Sequence, residues 1–140
     1  MDQDNRNRAL PTKPTEPSRS FSLALYQRGT LAEAIQTPSL LSLARERGLE
    51  VVAAGVVAAL TEADALVGGG MSAEQIALLA RSFMQDFVGR PVGTIVQAIR
   101  SGTRMATVGH KLTYPILCAW IAEQDRLVEE FNETAHRLTK

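Results

Sequence analysis

Few side chains in this 140-residue chain could support nucleophilic catalysis. Such catalysis needs a serine, cysteine or threonine next to a histidine base and a group that orients the base. Only two histidines are available, His110 and His136, and the single cysteine is Cys118. Cys118 stands two residues before Trp120 in an apolar stretch, which favours packing in the core over a reactive thiol. The sequence therefore predicts a protein that is not an enzyme.

Metal binding finds no better support in the residue types and their spacing. Metal sites in proteins bring several Cys, His or carboxylate ligands together at short spacing, and neither HxxxH nor CxxC occurs here. Glu133 precedes His136 by three residues, as in di-iron helix bundles, but those bundles need the pair twice and two further carboxylates. An acidic solvated helix explains Glu129, Glu130 and Glu133 better. We expect no metal and no cofactor.

Charge is distributed unevenly along a chain whose formal net charge is zero. The stretch from Phe87 to Ala122 contains no Asp or Glu, and its cationic residues are Arg90, Arg100, Arg104 and Lys111. The stretch that follows is acidic, with Glu123, Asp125, Glu129, Glu130 and Glu133. Such asymmetry bears on the partners of a protein more than on its fold.

The basic stretch supplies the candidate binding residues. Guanidinium groups and the exposed amides of glycines suit phosphate or carboxylate groups. The candidates for partner or anion binding are Arg90, Arg100, Arg104, His110 and Lys111. Three interpretations stay open at this point: a nucleic-acid or other anion surface, a surface for a protein partner, and charge pairing with the acidic helix inside the fold. The stretch has no interleaved exposed aromatics, so stacking of single-stranded bases is not expected.

Length and composition predict one domain in a reducing, cytoplasmic compartment. Residues 1–20 are polar and Pro-rich, which predicts a disordered N-terminal arm and not a secretory signal. Residues 21–140 are expected to form the folded domain. The longest apolar run, 51–60, falls well short of the roughly 18 residues that a bilayer crossing needs, so no membrane contact is expected.

Apolar residues recur at helical spacing from Phe21 onward, which predicts an all-α fold of about five or six helices. Thr30 with Glu33 and Ser72 with Gln75 have the spacing of capping boxes at helix starts. The stretch 49–67 has almost no polar face, so we expect it to be a central buried helix.

The remaining boundaries follow from caps, prolines and glycines. Thr37 is predicted to cap a helix that ends at Gly48, and the glycines at 68–70 are predicted to be a linker. Pro91 opens a short helix predicted to stop at Gly102, so that 103–111 would be a loop. The last and longest helix carries Trp120, which we expect to be buried against the apolar face of the helix that starts at Ser72.

From about Leu43 onward, the chain resembles a family of small uncharacterised helical proteins found in bacteria of the Bacteroides group, their phages and mobile elements. The shared pattern is a capping-box helix, a short helix ending at a glycine, a basic loop with a glycine, and a last helix with a tryptophan. The residues that carry it are Met71, Ser72, Glu74, Gln75, Ile76, Ile95, Ala98, Gly102, Gly109, Leu112, Ile116, Trp120 and Ile121. The resemblance implies an α fold and an origin in a phage or mobile element, and no activity.

The function expected from these features is that of a non-enzymatic accessory or adaptor protein acting through protein–protein contacts with an unknown partner. The alternative is a weak nucleic-acid-binding accessory factor that uses the basic segment 90–111. Salt dependence separates the two, since phosphate contacts release counterions and most protein contacts do not.

Overall fold

A computed structural model describes residues 21–106 and 111–139. The predicted N-terminal arm, residues 1–20, and the candidate His110 lie outside the described residues. A 3₁₀ helix at Leu23–Tyr26 precedes six α-helices: α1 (Leu31–Ile35), α2 (Leu40–Arg47), α3 (Leu49–Val67), α4 (Ala73–Phe87), α5 (Val92–Met105) and α6 (Tyr114–Leu138). No strand occurs among the described residues, so the prediction of a single all-α domain of about five or six helices is confirmed.

Local capping chemistry explains where several helices begin and end. The Thr30 hydroxyl accepts a hydrogen bond from the Glu33 amide at the start of α1. Ser72 and Gln75 form a reciprocal capping box at the start of α4, and each satisfies a backbone amide that has no partner within the helix. Gly48 ends α2 with a φ of 101°, a left-handed conformation that favours glycine. These predicted boundaries are confirmed.

Helix α3 supplies much of the core. Its buried residues include Val52, Val56, Leu60 and Ala63, and the helix packs against α2, α4 and α5. Gly55 brings the ring of Phe21 so close that a β-carbon at this position would lie 2.6 Å from it. The prediction of a central apolar helix is therefore confirmed, but its expected burial on all sides is wrong, because Ala54, Ala58 and Leu66 are exposed.

The glycines at 68–70 turn the chain between α3 and α4, as predicted, with φ values of 137°, 75° and 110°. Asp64 holds this turn from the last part of α3, since its carboxylate accepts a hydrogen bond of 3.3 Å from the Met71 amide. The Oδ1 atom of Asp64 is buried and has no hydrogen-bond partner among the described residues.

The predicted capping role of Thr37 is wrong, because Ser39 caps α2 instead. Thr37 is buried, and its hydroxyl donates to the Ala34 carbonyl and accepts from the Gly93 amide, both at 2.7 Å. A β-carbon on Gly93 would lie 3.0 Å from the backbone of Ala34. Thr37 thus joins the end of α1 to the start of α5, a long-range contact that the local sequence pattern does not show.

The predicted end of α5 at Gly102 is also wrong. The helix continues through Thr103 and Arg104 to Met105. Gly102 is buried beneath the indole of Trp120, and a β-carbon there would lie 2.1 Å from the ring. Gly102 is therefore required for close packing of α5 on α6, and it does not terminate a helix. Trp120 is half-buried and packs against the core through Gly102 of α5, whereas the predicted contact was with the apolar face of α4.

Candidate functional site

Helix α5 presents two of the candidate arginines on one exposed face. Its opposite face is buried through Val92, Ile95 and Ile99, which fixes the rotation of the helix in the domain. Arg100 and Arg104 are both exposed and are four residues apart. Because Arg104 belongs to the helix and not to a loop, the two guanidinium groups extend from neighbouring turns of one rigid element.

Arg90 has a different environment from the other candidates. Its Nη2 atom donates to Asp125 Oδ2 at 2.7 Å, and its Nε donates to both carboxylate oxygens at 3.2 Å. Its guanidinium also lies over the Phe87 ring, 4.9 Å from the centroid. The hydrogen bonds to Asp125 raise the pKa of the Arg90 guanidinium above its ordinary value. This member of the basic segment is therefore paired with the acidic helix.

Arg100 and Arg104 have no acidic partner among the described residues. The two side chains line two surface grooves, and both grooves include Arg100 and Arg104. The first, the apolar groove, has a volume of about 300 Å³ and is lined mainly by apolar residues such as Leu23, Leu66 and Ile99, together with the acidic Glu62. The second, the polar groove, has a volume of about 360 Å³ and contains no acidic lining residue.

Arg28 also lines the polar groove, and the sequence analysis did not identify it. Its Nη1 donates to the carbonyls of Leu25 and Gln27 at 3.1 and 3.0 Å, which fixes the guanidinium beside the turn that precedes α1. Arg28 is some seventy positions from Arg100, so only the tertiary fold brings the two together. No local pattern in the sequence therefore predicts that Arg28 lies beside Arg100.

Two glutamines connect this turn to α5 and α6. Gln97 Nε2 donates to the carbonyls of Arg28 and Thr30 at 3.2 and 3.1 Å. Gln124 Nε2 in turn donates to Gln97 Oε1 at 2.9 Å. Both glutamines line the polar groove, so its wall is a hydrogen-bonded network contributed by three elements.

Lys111 lies apart from this arginine cluster. It is exposed and lines a third groove together with Val67, Met105 and Trp120, and it lines neither the polar nor the apolar groove. Of the five predicted site residues, the structure therefore brings Arg100 and Arg104 together. Arg90 and Lys111 lie elsewhere on the surface, and His110 lies outside the described residues.

The acidic helix α6 carries a second surface feature. Buried residues on this helix end with Gln124, and every residue from Glu129 to Thr139 is exposed. Leu127, Phe131 and Leu138 are exposed apolar residues at helical spacing on this segment, and we call them the α6 stripe. Arg126 pairs with Glu123 and Glu130, and the hydrogen bonds to Arg126 lower the pKa of Glu123.

The remaining reactive residue types form no site in the described part of the chain. Cys118 is half-buried in α6, and His136 is exposed near the end of that helix. The described residues contain no group of His, Cys, Asp or Glu that could hold a metal ion. In residues 21–106 and 111–139, no helix has both the length and the apolar character required to cross a bilayer.

Comparisons with protein families, with curated proteins and with solved structures find no match to this chain. The resemblance to helical proteins of the Bacteroides group, their phages and mobile elements therefore stays a prediction. Function has to be inferred from the two surfaces described above.

Proposed function

We propose that this protein is a non-enzymatic accessory or adaptor protein that binds another protein through the α6 stripe. The observation that carries the proposal is the exposed end of α6, where no residue after Gln124 is buried although the helix continues to Leu138. An origin in a phage or mobile element and a cytoplasmic location belong to the same proposal.

Apolar residues on a helical segment that has no buried side chain are unusual. Short helices are marginal in water, and most of their stability in proteins comes from packing an apolar face. Phe131 is 38% exposed and Leu138 is 79% exposed, so this face is available to a partner. Amphipathic helices with such a face commonly bind in a hydrophobic groove of another protein.

The charges beside the stripe indicate the chemistry of the partner. Glu129 and Glu133 are exposed and have no cationic partner among the described residues. A complementary partner would offer an apolar groove bordered by Lys or Arg. Charge complementarity of this kind mainly accelerates association and sets specificity, while the apolar contacts provide most of the affinity.

Affinity capture from the native host with quantitative mass spectrometry tests the proposal. The full chain is compared with a variant carrying Phe131→Ser and Leu138→Ser, and with Leu78→Ser as the matched control, since Leu78 is 61% exposed on α4. We expect a protein that is enriched with the wild type and the control and lost with the double variant. Equal enrichment with all three would refute the role of the stripe.

Light scattering in solution separates this proposal from self-association. We expect a monomer at micromolar concentration. A dimer that dissociates in the double variant would assign the stripe to a second copy of the chain and would overturn the adaptor function.

Nucleic-acid binding is the second candidate function, and it is favoured because neither Arg100 nor Arg104 forms an ion pair among the described residues, although Glu62 lines the apolar groove with them. If these arginines and Lys111 neutralise about three phosphates of duplex DNA, log affinity falls with log salt at a slope of roughly −2.7. Arg104→Ala should make that slope shallower by about one. Absence of salt-sensitive binding to DNA or RNA at about 50 mM salt would eliminate this candidate.

A further inference from the structure

We propose that the polar groove binds the phosphate groups of a small organic di- or triphosphate. The proposal rests on other residues than the α6 stripe, apart from Leu127, which belongs to the stripe and also lines this groove. It adds Arg28, Gln97 and Gln124 to the arginines that the sequence identified.

Electrostatics is the first argument. Arg28, Arg100 and Arg104 contribute three positive charges to a groove with no acidic lining residue. Like charges four residues apart on a helix repel each other, so Arg100 and Arg104 destabilise the free protein slightly unless an anion lies between them. Guanidinium groups match phosphate in both geometry and charge, and three of them suit a polyphosphate better than a single carboxylate.

The second argument is that the Arg28 guanidinium is held in place before any ligand binds. Both Nη1 hydrogens of Arg28 are used by the carbonyls of Leu25 and Gln27, and the guanidinium lies over the Tyr26 ring, whereas its Nε and Nη2 have no hydrogen-bond partner among the described residues. Arg100 and Arg104 extend from a helix whose other face is buried. Fixed donors lose little conformational entropy on binding.

Gln124 provides the third argument, and it points to an organic ligand. It is a buried polar residue, 6% exposed, on the wall of the groove. Its Nε2 donates to Gln97 Oε1, which fixes the amide on the wall of the groove and leaves the Oε1 atom of Gln124 as its acceptor. A carbonyl oxygen in this position accepts from a hydroxyl or amino group and not from phosphate. The volume of about 360 Å³ also exceeds that of phosphate alone and lies within the range of small-molecule sites.

Isothermal titration calorimetry on the full chain at constant ionic strength tests the proposal. The probes are pyrophosphate, the nucleoside diphosphates as representative organic diphosphates, and sulfate for nonspecific anion binding. We expect pyrophosphate to bind more tightly than sulfate, and at least one nucleoside diphosphate to bind about fivefold more tightly than pyrophosphate because it also reaches Gln124. Arg100→Gln and Arg104→Gln should each weaken pyrophosphate binding by about tenfold.

Arg81→Gln is the matched control, because Arg81 is an exposed arginine of α4 that does not line the groove. We expect it to bind pyrophosphate as the wild type does, and circular dichroism verifies that all variants are folded. Equal losses for Arg81→Gln and Arg104→Gln, or no preference for pyrophosphate over sulfate, would overturn the site. Equal affinity for pyrophosphate and every nucleoside diphosphate would overturn its organic specificity.

A 12-nucleotide single strand distinguishes the source of the phosphate. Binding of this strand more than tenfold tighter than every diphosphate, with the same loss in Arg104→Gln, would reassign the groove to nucleic acid. The variant with Phe131→Ser and Leu138→Ser should bind pyrophosphate normally, so failure of this site and failure of the adaptor function are separate results.

Discussion

Gly102 shows how a single residue can fix the contact between two helices. The residue lies within α5, and the Trp120 indole of α6 occupies the space where a side chain would begin. Glycine lowers helix stability by about 1 kcal/mol relative to alanine, so its presence in the helix has to be offset by the packing of the indole. Because α5 continues past Gly102, Arg104 lies on the helix and not in a loop.

Gly102→Ala is expected to destabilise the domain by about 2 kcal/mol, since the added methyl group would displace the indole and this outweighs the gain in helix propensity. Thermal or urea unfolding measures the change. Gly89→Ala is the control, because a β-carbon at Gly89 meets no atom within 4 Å. We expect the control to unfold at the same temperature or urea concentration as the wild type, or at a slightly higher one. A stabilised Gly102→Ala variant would contradict the packing role.

Arg28 lines the polar groove but could not be predicted from the sequence. Arg100 and Arg104 were identifiable from the absence of acidic residues near them in the sequence. Arg28 was not, since it joins them through the hydrogen bonds of Gln97 to the backbone of Arg28 and Thr30. Contacts of this kind depend on tertiary packing and leave no periodic pattern.

At the scale of the helix, the sequence predicted element type well and some boundaries poorly. Capping residues such as Ser72 and the left-handed Gly48 act locally, and their predictions were confirmed. The predictions at Thr37 and Gly102 were wrong for a common reason. The sequence suggests a helix cap at Thr37 and a helix end at Gly102. In the structure, each residue instead contacts a helix that is distant in the sequence.

The Arg90–Asp125 pair joins the start of α5 to α6, and its contribution to stability is expected to be small. The two side chains are 36% and 43% exposed, so solvent screens the attraction. A double-mutant cycle with Arg90→Gln and Asp125→Asn should give a coupling energy of about 0.5 kcal/mol that decreases as salt is added. Coupling above about 2 kcal/mol would contradict this picture.

The raised pKa of Arg90 also predicts how the pair responds to pH. A cation whose pKa is higher in the folded state stabilises the fold at every pH below its ordinary pKa, and loses that contribution as pH rises through the raised value. For a guanidinium, this window lies above the physiological range. The coupling energy should therefore be the same at pH 6.5 and pH 9. A decrease between these values would show that another group titrates with the pair.

At the scale of the whole molecule, the uneven charge of the sequence divides into three parts with different roles. The Arg90–Asp125 pair joins basic and acidic segments inside the fold. The arginines of the polar groove have no acidic partner among the described residues. The acidic residues after Gln124 lie on a helix end with no buried side chain. Internal pairing, which the sequence left as one alternative, thus applies to Arg90, whereas Arg100 and Arg104 stay available for the binding that we propose.

Removal of the exposed end of α6 tests this division. A chain that ends at Val128 loses no residue that is buried in the described structure, since every residue from 129 to 139 is exposed. We expect the melting temperature to fall by no more than about 2 °C, because little apolar area is lost from the core. Helical circular dichroism should decrease by the contribution of the missing turns, and pyrophosphate binding should be retained while partner capture is lost.

A second truncation, after Trp120, provides the comparison. It removes the buried Ile121 and Gln124 together with Asp125, which pairs with Arg90. Loss of a buried Ile side chain alone costs about 2 to 5 kcal/mol, so this chain should melt at least 10 °C lower or fail to fold. If the truncation after Val128 were as damaging as the truncation after Trp120, the end of α6 would be part of the core and not a surface offered to a partner.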